Sequence, residues 1–554
     1  MTARKQARGV ISPAQAFGFA VALSVALIIV LVPVLPGRAS LQAGDAAFQT
    51  FEISGQTVVR EGQPVTQPDL DRIEAAGLLD NHLGFAEALS ALIVAVTGGA
   101  MLALYLWLFQ PKAVNTVPRL FMVGLLVVLW VAAAKVFLSI TLPDGDRLYL
   151  GYMLPLAAAP MLIATLLDGG LGIAVAGLLA VLAAFAGFYL PDARTATAMA
   201  PLDPLQMAVT FLFAGLTGIY AIRRAERVNN YFMAGVTVGL VLFATLFSFW
   251  LLSPDRSAQD LVWMVAASAL GGVGSAVITV GATVVLGVMF GVTTRMQLME
   301  LAQLSHPLLR QLQEKAPGTF HHSVIVGNLA ERAADIIGAD PLLVRVGCYF
   351  HDIGKIAKPG YYIENQMEAQ NPHDRLDADA SARLVSDHVR AGMDLTARYR
   401  VPAPVRAFIP EHHGTRLVTY FYRKASAEDP NVDPEKFRYP GPKPQSKETA
   451  MVMLADSVEA VVRASKDRSH EKIDSLVDSI VAERLSEGQL DESDLTLRDI
   501  KTIGESFKAT LRGIYHPRIE YPEPTKAELQ STGAQPVGYL KPPSNPMEAP
   551  PVER

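Results

Sequence analysis

The stretch CYFHDIGK, residues 348–355, sets a histidine–aspartate dyad between apolar neighbours. Two ionisable side chains in an apolar wall are costly unless they are hydrogen-bonded or bound to a metal. The dyad is not isolated, because ten of the eleven histidines lie after Leu304. The candidate metal ligands are His322, His351, Asp352, His388, His412, His413 and Asp456.

Neutral imidazoles and carboxylates form the ligand set of hydrolytic transition-metal centres. Seven ligands are too many for one ion with an open position, and they suit two divalent ions that share a bridging carboxylate. Such a pair clamps both oxygens of an in-line phosphoryl displacement, so the pattern predicts a phosphohydrolase. His351, Asp352 and Lys355 are the catalytic candidates. Lys355 is interpreted as a phosphate contact, with a solvated surface lysine as the alternative.

Some histidines are ambiguous. His321 is the alternative to His322 as a ligand, while His306 and His373 are expected not to be ligands. His412 and His413 are neighbours, so both can face one site only if the backbone turns there, and the following Gly414 favours such a turn.

Apolar residues recur at helical spacing through this half, and strand patterns are nearly absent. We therefore predict an all-α domain in which successive helices carry the ligands. The predicted ligand helices are 321–337, 341–352, 378–400, 404–413 and 446–465, and two further helices are predicted at 471–487 and 497–515.

The first half of the chain has the composition of a membrane protein. Hydrophobic residues make up 51% of the whole sequence and charged residues 18%, and only 18 charged residues lie between Phe85 and Phe290. Apolar runs of about 20 residues are long enough to cross a membrane. We predict eight spans, at 14–35, 85–109, 118–141, 149–167, 170–190, 205–222, 231–252 and 264–290.

The distribution of Lys and Arg predicts that both ends are cytoplasmic. The turn at 168–170 is the weakest point, because merging the two spans it joins would reverse the C-terminus. Lys135 lies inside the third span, where snorkelling toward the outer surface is favoured over a functional charge. The predicted inner residues are Arg4, Lys5, Arg8, Lys112, Arg119, Arg223, Arg224, Arg227 and Arg295, and the outer ones are Arg147, Arg194 and Arg256.

Charge and cysteine content limit the alternatives. A formal net charge of -5 gives no support for binding a nucleic-acid polymer through a basic surface. The single cysteine, Cys348, excludes a disulfide within one chain and is compatible with a reducing compartment. The oligomeric state is not readable from the sequence.

Several long motifs resemble one family closely. From about Phe85 to Pro522 the chain is similar to the membrane-bound seven-transmembrane HD proteins, which hydrolyse cyclic di-AMP to the linear dinucleotide. The motifs that carry this resemblance are APGTFHHS (316–323), NLAE (328–331), GK (354–355), ENQ (364–366), NPHD (371–374), HHGT (412–415), FRYPGPKP (437–444) and LADSVEA (454–460).

The resemblance implies two ions, iron or manganese, with Asp352 bridging them. One ion would be bound by His322, His351, Asp352 and Asp456, and the other by Asp352, His388, His412 and His413. It also implies a bacterial plasma-membrane protein with a cytoplasmic HD domain and a cyclic dinucleotide as substrate. The family's large external domain is reduced here to a short segment, which puts external sensing in doubt.

Three alternatives remain open at this point. Hydrolysis of cyclic di-GMP by the related HD-GYP group is less favoured, because no Gly-Tyr-Pro follows His413 in the next loop. Hydrolysis of guanosine tetraphosphate is less favoured because the extra histidines imply two metals. A non-catalytic nucleotide receptor is disfavoured by the complete ligand set.

These observations predict an α-helical polytopic membrane domain followed by an all-helical cytoplasmic HD phosphohydrolase. The predicted units are an N-terminal membrane anchor (1–36), a short extracytoplasmic segment (37–84), a seven-helix transmembrane domain (85–292), a linker helix (293–316), the HD phosphohydrolase domain (317–520) and a proline-rich disordered tail (521–554).

Overall fold

The computed structural model describes residues 11–515, except for the short gaps that follow. The gaps are 33–36, 39–40, 48–49, 54–55, 61, 77, 82–84, 115, 142–148, 189–202, 224, 226–227, 254–255 and 367–370. The predicted disordered tail at 521–554 lies outside the described residues. So do Arg147 and Arg194, two of the three predicted outer arginines.

The membrane half is a bundle of long apolar helices. Its helices are α1 (Pro13–Leu31), α2 (Gln67–Ala75), α3 (Phe85–Phe109), α4 (Val117–Thr141), α5 (Ala158–Leu166), α6 (Gly169–Phe188), α7 (Asp203–Ile222), α8 (Val228–Trp250) and α9 (Ala258–Phe290). Among the described residues, seven helices are long and apolar enough to cross a membrane. These are α1, α3, α4, α6, α7, α8 and α9.

The predicted fourth span at 149–167 is not one regular helix of spanning length. The chain there forms a 3-10 turn, Leu150–Met153, and then the short helix α5. Pro155 interrupts the helical hydrogen-bond pattern, because proline has no N–H to donate. The carbonyl of Pro155 accepts a bond from Trp130 Nε1 at 3.2 Å, so this irregular backbone is satisfied by a neighbouring helix.

Both ends of the bundle nevertheless lie on one face. The Ile11 N–H, just before α1, donates to Gln110 Oε1 at 2.7 Å at the end of α3. Arg119, at the start of α4, donates to the carbonyl of Gly291, just after α9, at 3.3 Å. Only a short turn joins α3 to α4. Seven passages would put the ends on opposite faces, so we infer that the shorter apolar segment Leu150–Leu166 makes an eighth.

Lys135 lies near the outer end of α4. Its Nζ donates to the carbonyls of Val30 (3.0 Å) and Leu31 (3.3 Å), at the C-terminal end of α1. Carbonyls at a helix end have no partner within their own helix, and a cation is favourable there. The charge thus joins α1 to α4.

The external segment has a small core of its own. Strand β1 (Gly37–Arg38) pairs with β4 (Asp80–Asn81), and β2 (Phe51–Ile53) pairs with β3 (Gln56–Val59), both antiparallel. Helix α2 covers the second pair through buried Leu70 and Ile73.

The linker is two helices rather than the predicted single one. Its helices are α10 (Arg295–Leu301) and α11 (Pro307–Lys315). The cause is Pro307, which cannot continue a helix from the preceding turn but is suited to the first position of a new one. His306 caps α11, its Nδ1 accepting from the Leu308 N–H at 3.3 Å.

The C-terminal domain is all-α, as predicted. Its helices are α12 (Pro317–Ile337), α13 (Pro341–Phe350), α14 (Ala378–Arg398), α15 (Ala403–Arg406), α16 (Phe408–Glu411), α17 (Thr419–Glu428), α18 (Lys447–Ala464), α19 (His470–Ser486) and α20 (Leu497–Ile514). The predicted helix 404–413 is two short helices, because α15 ends at Arg406 and α16 starts at Phe408. Helix α18 is largely buried and lies in a core that also contains residues of α12, α13, α19 and α20.

Candidate metal centre

The dyad lies where a helix changes its winding. Helix α13 ends at Phe350, and after His351 and Asp352 the chain continues as a 3-10 turn, Ile353–Ala357. Both dyad side chains are buried, with exposures of 0% and 1%.

Gly354 allows a second helix to approach the dyad. A Cβ on this residue would collide with the backbone carbonyl of His388 in α14. The missing side chain thus lets α14 pack directly on the dyad turn, which brings His388 beside Asp352.

One group of candidate ligands consists of His322, His351 and Asp456. Their potential ligand atoms lie within 4.8 Å of one another. His322 Nε2, from α12, is 3.0 Å from Asp456 Oδ1, from α18. His351 Nε2 is 3.9 Å from the same oxygen. Three helices therefore converge on this group.

The other group consists of Asp352, His388, His412 and His413, also within 4.8 Å. His412 is the C-cap of α16, and Gly414 follows the pair with φ 56. This left-handed conformation favours glycine, and a Cβ there would press against Gln489 Oε1. The turn predicted from Gly414 is therefore present, and it lets both imidazoles face the same group.

Asp352 stands between the two groups. Its Oδ2 lies 3.3 Å from His351 Nε2 and 3.9 Å from His322 Nε2. Its Oδ1 lies 3.4 Å from His388 Nε2 and 3.7 Å from His412 Nε2. Each oxygen of this one carboxylate thus faces a different set of histidines, which is the geometry that a bridging ligand requires.

The atoms that face this space lack hydrogen-bond partners within the described part of the chain. They are His351 Nε2, Asp352 Oδ1, His388 Nε2, His412 Nε2 and His413 Nδ1. Buried polar atoms are nearly always satisfied, so five convergent unsatisfied ones need an explanation. Nitrogen and carboxylate oxygen atoms in this number fit divalent transition metals.

The opposite ring atoms fix the orientation of three histidines. The Nδ1 atoms of His351, His388 and His412 lie 2.6, 2.7 and 2.9 Å from backbone carbonyls, those of Cys348, Val385 and Phe408 respectively. A carbonyl can only accept, so Nδ1 carries the proton and Nε2 presents its lone pair to the site. Such support is typical of metal-binding histidines.

The electrostatics differ between the groups. Burial lowers the pKa of His412 to about 3, and the neighbouring His351 adds to the effect. Burial and the adjacent His412 hold the pKa of His413 well below its usual range. Burial opposes charge on His322 too, but hydrogen bonds with Asp456 and Glu459 outweigh it and raise its pKa to about 10. Without an ion, the histidines of the group that contains Asp352 are therefore neutral, whereas His322 is protonated.

Lys355 is largely buried, with 13% of its side chain exposed, and it is paired with two carboxylates, which does not fit the alternative of a solvated lysine. Its Nζ lies 2.7 Å from Asp352 Oδ2 and 2.8 Å from Glu364 Oε1. Burial alone would raise the pKa of Asp352, but the charge of Lys355 and the contact with His351 hold it well below its usual range. The carboxylate is therefore ionised.

Four residues around the site were not singled out from the sequence. Glu459 Oε2 lies 2.5 Å from His322 Nδ1, and Glu364 holds Lys355. The Tyr439 ring stacks on His413 with centroids 4.0 Å apart. Arg416 donates to Ser457 Oγ, next to Asp456, at 3.3 Å. For Glu459 a signal was available, because it lies one helical turn after Asp456 on the same face.

The three other histidines considered from the sequence lie outside the two groups. His321 is exposed, whereas His322 is buried, so the site takes the second of the pair. His373 Nε2 donates to the carbonyl of Tyr361 at 2.9 Å, and the His306 ring meets the edge of Phe350.

Two family models match the chain in succession. One, described as a 7TM receptor with an intracellular HD hydrolase, matches residues 85–294. The other, the HD domain, matches residues 319–461 and so covers all seven candidate ligands.

Curated relatives match most of the chain. The cyclic-di-AMP phosphodiesterase PgpH of Listeria monocytogenes is 35% identical over 87% of this chain and 65% of its own length. That of Bacillus subtilis is 32% identical over 88% of this chain and 67% of its own length. An uncharacterized Synechocystis protein, slr0104, is 36% identical over 58% of this chain and 40% of its own. This chain thus spans about two thirds of the length of the two PgpH proteins.

Solved structures of the Listeria monocytogenes PgpH HD domain also match. One covers 38% of this chain and 100% of its own, with 47% identity and a TM-score of 0.37. Another, in complex with cyclic di-AMP, has the same coverage, 46% identity and a TM-score of 0.38. From the relatives' identity and coverage, together with the two successive family matches, this multi-pass membrane protein with a C-terminal HD domain belongs to the seven-transmembrane HD family that includes the PgpH proteins.

Proposed function

We propose that this chain is a membrane-bound, metal-dependent phosphodiesterase that hydrolyses cyclic di-AMP to the linear dinucleotide. The observation that carries the proposal is the pair of ligand groups that share the carboxylate of Asp352. The choice of substrate is supported by the two PgpH relatives, which are named as cyclic-di-AMP phosphodiesterases.

In this proposal two divalent ions, manganese or iron, are held by the seven residues. His322, His351, Asp352 Oδ2 and Asp456 would hold one ion. Asp352 Oδ1, His388, His412 and His413 would hold the other. Bound ions would supply positive charge for the phosphate and lower the pKa of the attacking water.

The chain's own residues then orient the reaction. His351, His388 and His412 are held in place by backbone carbonyls, so they would need no rearrangement to bind an ion. The Lys355 ammonium would keep Glu364 as its partner if Asp352 Oδ2 were engaged with a bound ion, and it would then be free to contact a phosphate oxygen. Glu364 is itself held by Thr319 Oγ1, which donates to Oε1 at 3.0 Å. Lys355 is therefore a preorganised donor at the edge of the site.

The experiment that tests this proposal compares three substrates on one preparation. The purified full chain in detergent, loaded with manganese, is incubated with cyclic di-AMP, cyclic di-GMP and guanosine tetraphosphate. We expect the first to be cleaved fastest, with the linear dinucleotide as product, and chelator to stop the reaction. Faster cleavage of either other substrate would contradict the assignment, and absence of cleavage of all three would favour a non-catalytic receptor.

A further inference from the structure

The histidine that differs from the others in its support is His322. Three other histidines of the centre donate Nδ1–H to carbonyls of their own helices. His322 Nδ1 instead lies 2.5 Å from Oε2 of Glu459, a carboxylate on another helix, α18. Its Nε2 faces Asp456 on that same helix. One turn of α18 thus flanks both nitrogens of the ring.

Glu459 is an unusual residue for this position. Its exposure is 0%, and a buried carboxylate is costly unless it is paired. Its partners are His322 and Arg463, whose Nε lies 3.2 Å from Oε1 and 3.3 Å from Oε2. Arg463 is one turn further along α18 and is 36% exposed. The carboxylate is thus anchored from the surface side by an arginine and reaches inward to the ring.

We propose that Glu459 is a positioning residue for the ion held by His322, His351 and Asp456. It accepts the Nδ1 proton, fixes the tautomer and turns the Nε2 lone pair toward the ion. A carboxylate behind a metal-bound histidine also raises the basicity of that ligand. This inference rests on the metal centre of the proposed function and adds a residue outside the seven ligands.

The effect is confined to one of the two ions. The ligands of the other ion include His388 and His412, which are supported by carbonyls, and His413, whose Nδ1 faces the site. Among the described residues, no carboxylate other than that of Asp352 is hydrogen-bonded to or ion-paired with these three rings. Removing Glu459 should therefore weaken the first ion and leave the second unchanged.

The experiment counts ions on the full chain in detergent. Protein stripped with chelator is equilibrated with buffered free manganese, and bound metal per chain is measured by elemental analysis. In a His413→Ala background, in which the second ion is bound more weakly, the affinity of the remaining ion shows the effect of changing Glu459. We expect Glu459→Gln to lower its affinity, and Glu459→Ala to lower it further, by about 10- to 100-fold, the usual loss for such outer partners.

Two controls separate positioning from general stability. Asp474→Asn removes a carboxylate of α19 that pairs with Arg512 of α20, two helices that carry none of the candidate ligands, and should leave both ions bound. Thermal unfolding of the metal-free variants shows whether they are folded. If Glu459→Ala does not fold, Glu459→Gln, which keeps the shape of the side chain and a hydrogen-bond acceptor, is used in its place. In the wild-type background, Glu459→Gln should bind one ion as tightly as the unaltered chain and the other more weakly.

The outcomes distinguish this inference from the proposed function. If the unaltered chain binds two ions and Glu459→Gln binds both with unchanged affinity, the positioning role is refuted while the metal centre stands. Equal weakening of both ions would also overturn it, because it would show a general effect on the fold. If the unaltered chain binds no manganese or iron, the metal centre fails, and the positioning role fails with it.

Discussion

Lys355 Nζ lies 2.7 Å from Asp352 Oδ2, so the proposed bridging ligand is paired with a largely buried cation three residues further along the chain. The oxygen that Lys355 contacts is the one that faces His351. An ion bound there and the ammonium group would compete for the same oxygen. Glu364 gives Lys355 a second anchor, so the lysine can be released from Asp352 without becoming an unpaired buried charge.

Replacing Lys355 should impair catalysis more than metal binding. We expect Lys355→Met to lower kcat by about 100- to 1,000-fold, the usual loss of one preorganised donor to a transition state. Metal content should stay at the unaltered level, because the seven ligands remain. Lys358→Met, an exposed lysine three residues further on, is the matched control. An unchanged kcat for Lys355→Met would show that the lysine only stabilises the fold.

Replacing one of the paired histidines should remove one ion. We expect His413→Ala to lower occupancy of the ion bound with His388 and His412, while the site of His322 and Asp456 stays largely filled. Activity should fall steeply, since both ions are needed to position and charge the phosphate. His321→Ala is the control, because this exposed imidazole neighbours a ligand without being one. Retention of two ions by His413→Ala would contradict the ligand assignment.

Acid should destabilise the metal-free chain through His412. Burial, with His351 nearby, lowers its pKa in the folded state to about 3, against about 6.5 in the unfolded chain. The neutral ring therefore contributes stability above pH 6.5, and this contribution is lost as the pH falls from 6.5 toward 3. In thermal unfolding between pH 7 and 5, the Tm should fall less in His412→Asn than in the unaltered chain. Parallel curves would contradict this.

His322 should act in the opposite direction. Burial disfavours its charge, but Asp456 and Glu459 raise its folded pKa to about 10. Its contribution to stability is therefore complete below pH 6.5 and is lost as the pH rises toward 10. As the pH rises from 7 to 9, the Tm of the metal-free His322→Gln variant should fall less than the Tm of the unaltered chain. A steeper loss in the variant would show that the ring is neutral in the folded state.

Eight passages would place both ends of the bundle on one face, which the distribution of Lys and Arg predicts to be the cytoplasmic one. Since Cys348 is the only cysteine and is buried, introduced cysteines can be labelled selectively. Gly169→Cys, whose added Cβ would meet no atom within 4 Å, should react with an impermeant maleimide only after the inner face is opened. Thr57→Cys, in the external segment, should react on intact cells. Reaction of Gly169→Cys on intact cells would contradict the assignment of the segment Leu150–Leu166 as a passage.

The all-α fold and the convergence of the ligands were predictable because each signal is local. The helical spacing of apolar residues and the dyad in its apolar neighbourhood are both visible in short stretches. Gly414 indicated the turn that aligns His412 and His413. The structure brings the seven candidate ligands into two groups of neighbouring atoms.

The features that could not be predicted from the sequence arise from contacts between distant segments or from prolines that interrupt helices. The burial of Lys355 requires Glu364, which comes from a separate turn. The role of Glu459 requires α12 to bring His322 against α18. Pro155 and Pro307 were visible, but the apolar run and the amphipathic pattern around them favoured continuous helices.

The most direct test of the central claim is the rate of cyclic di-AMP hydrolysis as a function of metal bound per chain. Manganese is titrated into the stripped full chain, and rate and bound metal are measured on each sample. We expect little activity with one ion and full activity with two, and Asp352→Ala should lose both ions and hydrolysis together, because its two oxygens serve the two groups. Full activity at one ion or none, or normal turnover by Asp352→Ala, would contradict a two-metal centre bridged by Asp352.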